Sequence, residues 1–362
     1  MKPKSFPYLA LFIASLFVAS LACQAASDVF DEDAGYSDER YDSQDESENN
    51  YEGDAVESIP GTDNPTTDDI VPAAGAVCPA VTENILSAAT QVEEGSGWDS
   101  AEEPENQYLV IYEISGNDIS NPYYEDVPSD LESYQDDAAA HQEIWEYFVT
   151  LIPASERNGL EEFMIVTDGD SNGLAAVAQT TYDPKLWSLE VDIADSSDKL
   201  NLTYTLIHEY AHLLTLGPDQ VIPSVAVFNN PDDENIIFEE TSACPVYFPG
   251  EGCSQADSYI NAFFNQYWAD IHLEWQDINL IEDTDEYYDA LDNFYYKYED
   301  RFVTDYAATN PEEDIAEAFT FFVLSPRPEG NTIAEEKILF FYDYPELVQL
   351  RDEILNGVCQ LN

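Results

Sequence analysis

Leu206-Ile207-His208-Glu209-Tyr210-Ala211-His212-Leu213-Leu214 is the stretch that decides how this chain is read. Residues four apart on an α-helix share a face, so His208 and His212 direct two imidazoles at one point. Glu209, one step around the helix, reaches a water at that point without being a ligand itself. Leu206, Ile207, Ala211, Leu213 and Leu214 make the helix apolar on nearly every side. A polar trio buried there needs partners, and a cation supplies them. Imidazole donors with one position left open suit zinc. The chain has only 4 histidines, so this spacing is a rare accident without a metal. The helix is predicted over 200–216, stopped by Gly217-Pro218.

A further ligand must come from outside the motif. The metzincin continuation, Gly and then His, is absent: Thr215 and Pro218 stand there, and Met164 lies upstream, so no Met-turn follows. An acid on a later helix is expected instead. Tyr306-Ala-Ala-Thr-Asn-Pro-Glu-Glu-Asp-Ile-Ala-Glu-Ala-Phe319 places Glu313 and Glu317 four apart on one face. Asn310 is its expected cap and Pro311 its first residue. Ile315, Ala316, Ala318 and Phe319 bracket the acids with apolar side chains. Glu239 and Glu240 are the alternative, nearer in sequence.

With these two stretches together, the chain resembles the gluzincin metallopeptidases, and within them the catalytic domain of anthrax lethal factor. There a Tyr precedes an N-x-x-E-x-x-A-E-A-F helix. The stretch 174–221 is also similar to uncharacterised secreted bacterial proteins described as zinc-binding metallopeptidases. The resemblance covers most of residues 160–325. It implies a zincin-like α+β fold, with His208, His212 and Glu313 holding one Zn2+ and Glu209 acting as general base. It also implies that Tyr306 steadies the oxyanion and that Glu317 orients a ligand histidine. The strand before the motif helix, 187–193, would edge the cleft and pair with an extended peptide. Tyr210-Ala211 stands where the family often has Phe-Gly. Two other functions share such a site: a non-catalytic surface binding protein, and a zinc hydrolase of non-peptide amides.

Working outward, strands are expected at 107–114, 163–167, 174–178 and 187–193, the last with alternating apolar positions. Helices are expected at 136–151, 259–275, 287–302, 312–324 and 345–356. Strands, motif helix, then helices is an α+β order, with a sheet lobe over 76–217 and a mainly helical lobe over 218–362. Asp168-Gly-Asp-Ser-Asn-Gly173 has the spacing of a Ca2+ loop, but Gln179 holds the position of the closing Glu, so a tight turn between strands is the reading. The glycosylation sequon at Asn201 falls on the motif helix and is discounted.

The first 22 residues read as a signal peptide: Lys2 and Lys4, then an apolar run ending in small residues. Ser20-Leu21-Ala22-Cys23 resembles a bacterial lipoprotein cleavage box, which implies a lipid anchor at Cys23; ordinary cleavage near Ala25 or Ala26 is the alternative. An exported surface or periplasmic protein follows. Residues 23–75 are polar and acidic and read as a disordered tether. The remaining cysteines of an exported chain pair. Four allow three connectivities, of which Cys244–Cys253 across a short loop and Cys78–Cys359 between the domain's ends are the expected ones. With 75 acidic residues against 11 basic, the surface repels phosphate backbones and anionic lipid heads, which excludes nucleic acid as partner and leaves membrane attachment to a covalent anchor. The expected partner is a peptide or protein substrate.

Overall fold

In the computed structural model, residues 78–90, 107–169, 173–281 and 283–361 are described. The expected signal peptide, Cys23 and the acidic tether lie outside them. Among the described residues, no helix is long and apolar enough to cross a membrane.

The fold is α+β, as the element order requires. Five strands, β1 (Gln107–Ser115), β2 (Asp118–Tyr124), β3 (Leu160–Thr167), β4 (Ala175–Gln179) and β5 (Trp187–Asp192), form one sheet in the order β2-β1-β3-β5-β4. β3 and β5 run parallel; every other neighbouring pair is antiparallel. This corrects the expectation for 187–193. β5 does not edge the sheet, because β4 folds back on it from Gln179 opposite Trp187 to Ala175 opposite Val191. β5 alternates apolar and polar residues, yet every one of them is buried. Its polar side chains are consumed internally: Tyr108 donates to Glu190, and Asp192 Oδ2 accepts the Asp168 N–H at 2.7 Å.

The helices begin before the sheet, with α1 (Pro79–Ala89), then α2 (Glu132–Gln135) and α3 (Ala138–Leu151). α4 (Lys199–Leu216) is the motif helix. Asp198 caps it by accepting the Asn201 N–H, and at Gly217 a Cβ would stand 2.6 Å from the Leu213 carbonyl, so the exit from α4 admits no side chain there. A small hairpin of β6 (Val221–Pro223) and β7 (Gly252–Ser254) encloses α5 (Val225–Asn229) and α6 (Glu234–Ala243). The expected helix over 259–275 is two, α7 (Tyr259–Tyr267) and α8 (His272–Asn279). The chain turns between them, where Arg301 holds both Asp270 oxygens at 2.9 Å. Then come α9 (Thr284–Lys297), which ends before the predicted 302, α10 (Pro311–Leu324), α11 (Ile333–Phe340) and α12 (Pro345–Leu361).

The two halves interlock. α10 packs along α4, α12 packs against α3, and one apolar core runs from Leu109 and Phe163 in the sheet through Leu206 and Ile207 to Phe319, Phe322 and Phe341. Both expected disulfides are formed, Cys78–Cys359 and Cys244–Cys253. The first ties the start of α1 to α12, and the second closes the loop between α6 and β7.

Candidate metal centre

α4 is held between the sheet edge β4, α1 and α10, which buries the motif. His208, Glu209 and His212 are all buried, and so are Glu313 and Glu317 on α10. α10 starts as its sequence dictates: Asn310 Oδ1 accepts the Glu313 N–H at 2.8 Å, and Pro311 follows as first residue. Capping fixes the first turn, and the first turn sets Glu313 opposite the histidines.

Three donor atoms converge there. His208 Nε2 lies 2.9 Å from Glu313 Oε2 and 3.1 Å from His212 Nε2, and His212 Nε2 lies 3.4 Å from the same Glu313 oxygen. These residues form a group able to hold a metal ion. The outer atoms explain why. Glu317 Oε1 and His208 Nδ1 stand 2.8 Å apart; in the neutral ring with its proton on Nδ1, the Nε2 lone pair faces the other nitrogen and the carboxylate. Lone pairs turned toward one another in a buried site repel unless a proton or a metal cation lies between them. On the far side of the second ring, His212 Nδ1 is buried without a hydrogen-bond partner.

Glu317 is itself fully engaged. Its Oε2 accepts the Tyr204 hydroxyl and the Thr304 hydroxyl, each at 2.7 Å. Neither donor was among the residues singled out from sequence. Tyr204 was recoverable, since it lies one helical turn before His208. Thr304 sits in an irregular segment with no period to expose it.

Glu209 Oε2 accepts the Val177 N–H of β4 at 2.9 Å, so the edge strand, not β5, passes beside the motif. Burial pushes the Glu209 carboxyl above the usual carboxylate range, partly offset by the charges of His212 and His208. Burial opposes charging His208, but its bonds to Glu313 and Glu317 outweigh that and hold its imidazole well above the usual histidine range. Glu313 is likewise desolvated, yet the two histidines hold it far below the ordinary value. Tyr306 lies in a short turn, Tyr306–Ala308, with 41 % of its surface exposed and its ring centre 5.9 Å from that of His208.

Next to the trio is an acidic neighbourhood invisible to motif reading. Tyr247 donates to Glu312 Oε1 at 2.6 Å; burial pushes Glu312 up to about 7. Burial and the nearby charges of Glu312 and Glu313 push Glu251 up to about 8.

The alternative ligands are not brought to the site. Glu240 accepts the Ser224 hydroxyl at 2.8 Å, and Glu239 lies beside it on α6. His141 is a satisfied core residue, 2.8 Å from both the Tyr112 hydroxyl and the Tyr134 carbonyl. Of the 168–173 loop, Asp168 and Gly173 are joined by an N–H donated to Asp168 Oδ2 at 2.9 Å, and residues 170–172 lie outside the described residues. Asp168 also meets Asp192 and Asp195, a second acidic group at the ends of β3 and β5. Compared with protein-family models, with curated proteins and with solved structures, the chain matches none.

Proposed function

We propose that this chain is a zinc-dependent peptidase of gluzincin type, with His208, His212 and Glu313 as zinc ligands. One observation carries the reading: two motif imidazoles meet a carboxylate more than a hundred residues away at 2.9–3.4 Å, with the motif Glu beside them. Ligand atoms about 2.0–2.1 Å from a tetrahedral ion stand about 3.3–3.4 Å apart, within a few tenths of an ångström of those spacings. Ca2+ asks for six or more oxygens at longer range, so a two-nitrogen, one-oxygen set favours zinc.

When bound, zinc supplies Lewis-acid polarisation and acidifies water at the site. The chain's own residues do the rest. Glu209, raised toward neutrality by burial, takes the proton of the attacking water and delivers it to the leaving amine. Tyr306, exposed beside His208, donates a hydrogen bond to the oxyanion. Glu317 keeps the His208 proton on Nδ1, so that Nε2 stays a ligand. β4 offers the sheet edge along which an extended peptide pairs.

Retention of Glu209 and Tyr306 speaks for catalysis over mere binding, because holding zinc needs neither. The expected result is zinc in the wild type, less in His208→Ala and Glu313→Ala, and peptide cleavage that disappears in Glu209→Gln with zinc retained. Full metal content in both ligand variants refutes the ligand set. Undiminished cleavage by Glu209→Gln refutes the catalytic assignment.

A further inference from the structure

A cavity of about 410 Å³ lies between α6, the 244–250 loop, α7 and α8. It belongs to the same neighbourhood as the metal centre. Tyr247, in its wall, donates to Glu312, the residue before the ligand Glu313. Trp275, also in its wall, donates its indole N–H at 2.6 Å to the Thr309 carbonyl, the residue before the α10 cap. Two walls of the cavity therefore hang on the short segment that presents Glu313. The Cys244–Cys253 disulfide pins the loop that supplies Tyr247, and Cys244 itself lines the cavity.

The lining chemistry is unlike the rest of the molecule. Acidic residues number 75 of 362, about one in five, yet among the described residues no Asp, Glu, Lys or Arg lines this cavity. Its aromatic side is a packed set of rings: Tyr247 on Phe264 at 3.9 Å between centres, Phe264 edge-on to His272 at 4.8 Å, and His272 on Trp275 at 5.2 Å. Its polar lining is neutral, from Asn261, Asn265, Gln276 and Thr241. His272 adds a buried Nδ1 that has no hydrogen-bond partner. A cavity of about 150 Å³ already accepts a benzene ring, so this one has room for a phenyl, phenol or indole group. Neither a carboxylate nor a cation finds an opposite charge among the described lining residues.

We propose that this cavity is a specificity subsite that receives a bulky aromatic side chain of the peptide substrate. The proposal rests on the peptidase reading for the word substrate, but the binding itself does not depend on turnover. The aromatic lining packs on the guest ring, and the Gln276 amide in the same lining is the hydrogen-bonding group for a polar tip, the Asn261 amide being already engaged by the Tyr247 N–H and the Ala256 carbonyl.

The test uses the full chain and two readouts. N-acetylphenylalaninamide and N-acetyltyrosinamide are titrated while the His272 ring signals are followed by NMR, with N-acetylglycinamide and the glutamate analogue as controls. The aromatic amides should shift His272 saturably and the controls should not. Gln276→Trp and Thr241→Trp, which fill the cavity from two different helices, should each abolish the shift while leaving zinc content unchanged. In cleavage of a peptide mixture, the wild type should favour aromatic peptides, and both variants should lose that preference by at least tenfold in kcat/KM, chiefly through KM, while alanine peptides are unaffected. Aromatic amides that bind no better than glycinamide overturn the proposal, even if peptides are cleaved. Saturable aromatic binding blocked by both variants, in a protein that cleaves no peptide, upholds the cavity as a binding site and refutes the peptidase reading instead.

Discussion

Glu317 is where the proposed metal centre is most open to measurement, because it acts on the metal only through His208. Replacing it with Ala removes the acceptor of three donors: His208 Nδ1 at 2.8 Å and the hydroxyls of Tyr204 and Thr304 at 2.7 Å. Two effects separate. Losing the partner that fixes the His208 tautomer lowers zinc affinity by about 10–100-fold, or about 1.4–2.7 kcal/mol. Leaving buried donors unpaired costs about 1–3 kcal/mol for each that finds no water. Tyr204 and Thr304 are only partly buried, so we expect a loss of about 2–4 kcal/mol in the metal-free protein rather than the full sum. Glu317→Gln sharpens the test. The amide oxygen still accepts from His208, and the amide N–H groups donate to hydroxyls that rotate to receive them, so stability should fall by no more than about 1 kcal/mol. Only the negative charge is lost, and zinc affinity should drop by about tenfold. Competition with a chromophoric chelator gives the affinity, and guanidinium unfolding of metal-free protein gives the stability. Equal zinc affinity in wild type and Glu317→Ala refutes the reasoning. So does a Gln variant as unstable as the Ala variant.

Three further outcomes are expected. Lys337 is fully buried against Asp314, whose Oδ2 also receives the Trp268 indole N–H at 2.7 Å; Lys337→Met strands that carboxylate and should cost about 3–5 kcal/mol in urea unfolding, whereas a loss under 1 kcal/mol would show that the pair is dispensable. Burial lowers His272 to about 4 from an ordinary 6.5, so the unfolded chain takes its proton first. That contribution to stability is present above pH 6.5 and lost as pH falls toward 4, by up to about 3 kcal/mol; the pH 7 to pH 4.5 stability difference should shrink in His272→Gln, and an unchanged difference counts against it. Removing the Cys78–Cys359 bridge, which spans a sequence separation of 281, with a double Ser variant should lower stability by about 2–5 kcal/mol, and an unaltered unfolding midpoint would contradict this.

Much of the metal centre was legible because its signals are local. His208, Glu209 and His212 need only one turn of helix to share a face, and the apolar residues around them announce burial. Glu313 is harder. It stands 105 residues from His208 in a chain where acids are common, and what marks it is the Asn310-Pro311 start and the apolar side chains on either side. Those features predict a capped, buried helix, and a buried acid on it must be paired with something. The partner's identity follows from no local rule, because it is fixed by how α10 lies along α4.

The sheet shows the converse case, where a local signal was read correctly and placed wrongly. Alternation in Trp187-Ser-Leu-Glu-Val-Asp192 does report a strand. The edge position expected of it came with the family resemblance, and no local signal in the stretch carries it. Here Glu190 faces Tyr108 and Asp192 takes backbone N–H groups, so both faces of β5 are interior. The five residues of β4 are short and mostly small, Ala175-Ala-Val-Ala-Gln179, with no polar alternation to advertise an edge. β4 lies against α4, and its Val177 gives its N–H to Glu209. The edge strand beside the motif helix is thus marked here by small residues rather than by alternation. By that criterion 174–178, already expected as a strand, was the stretch to place at the edge.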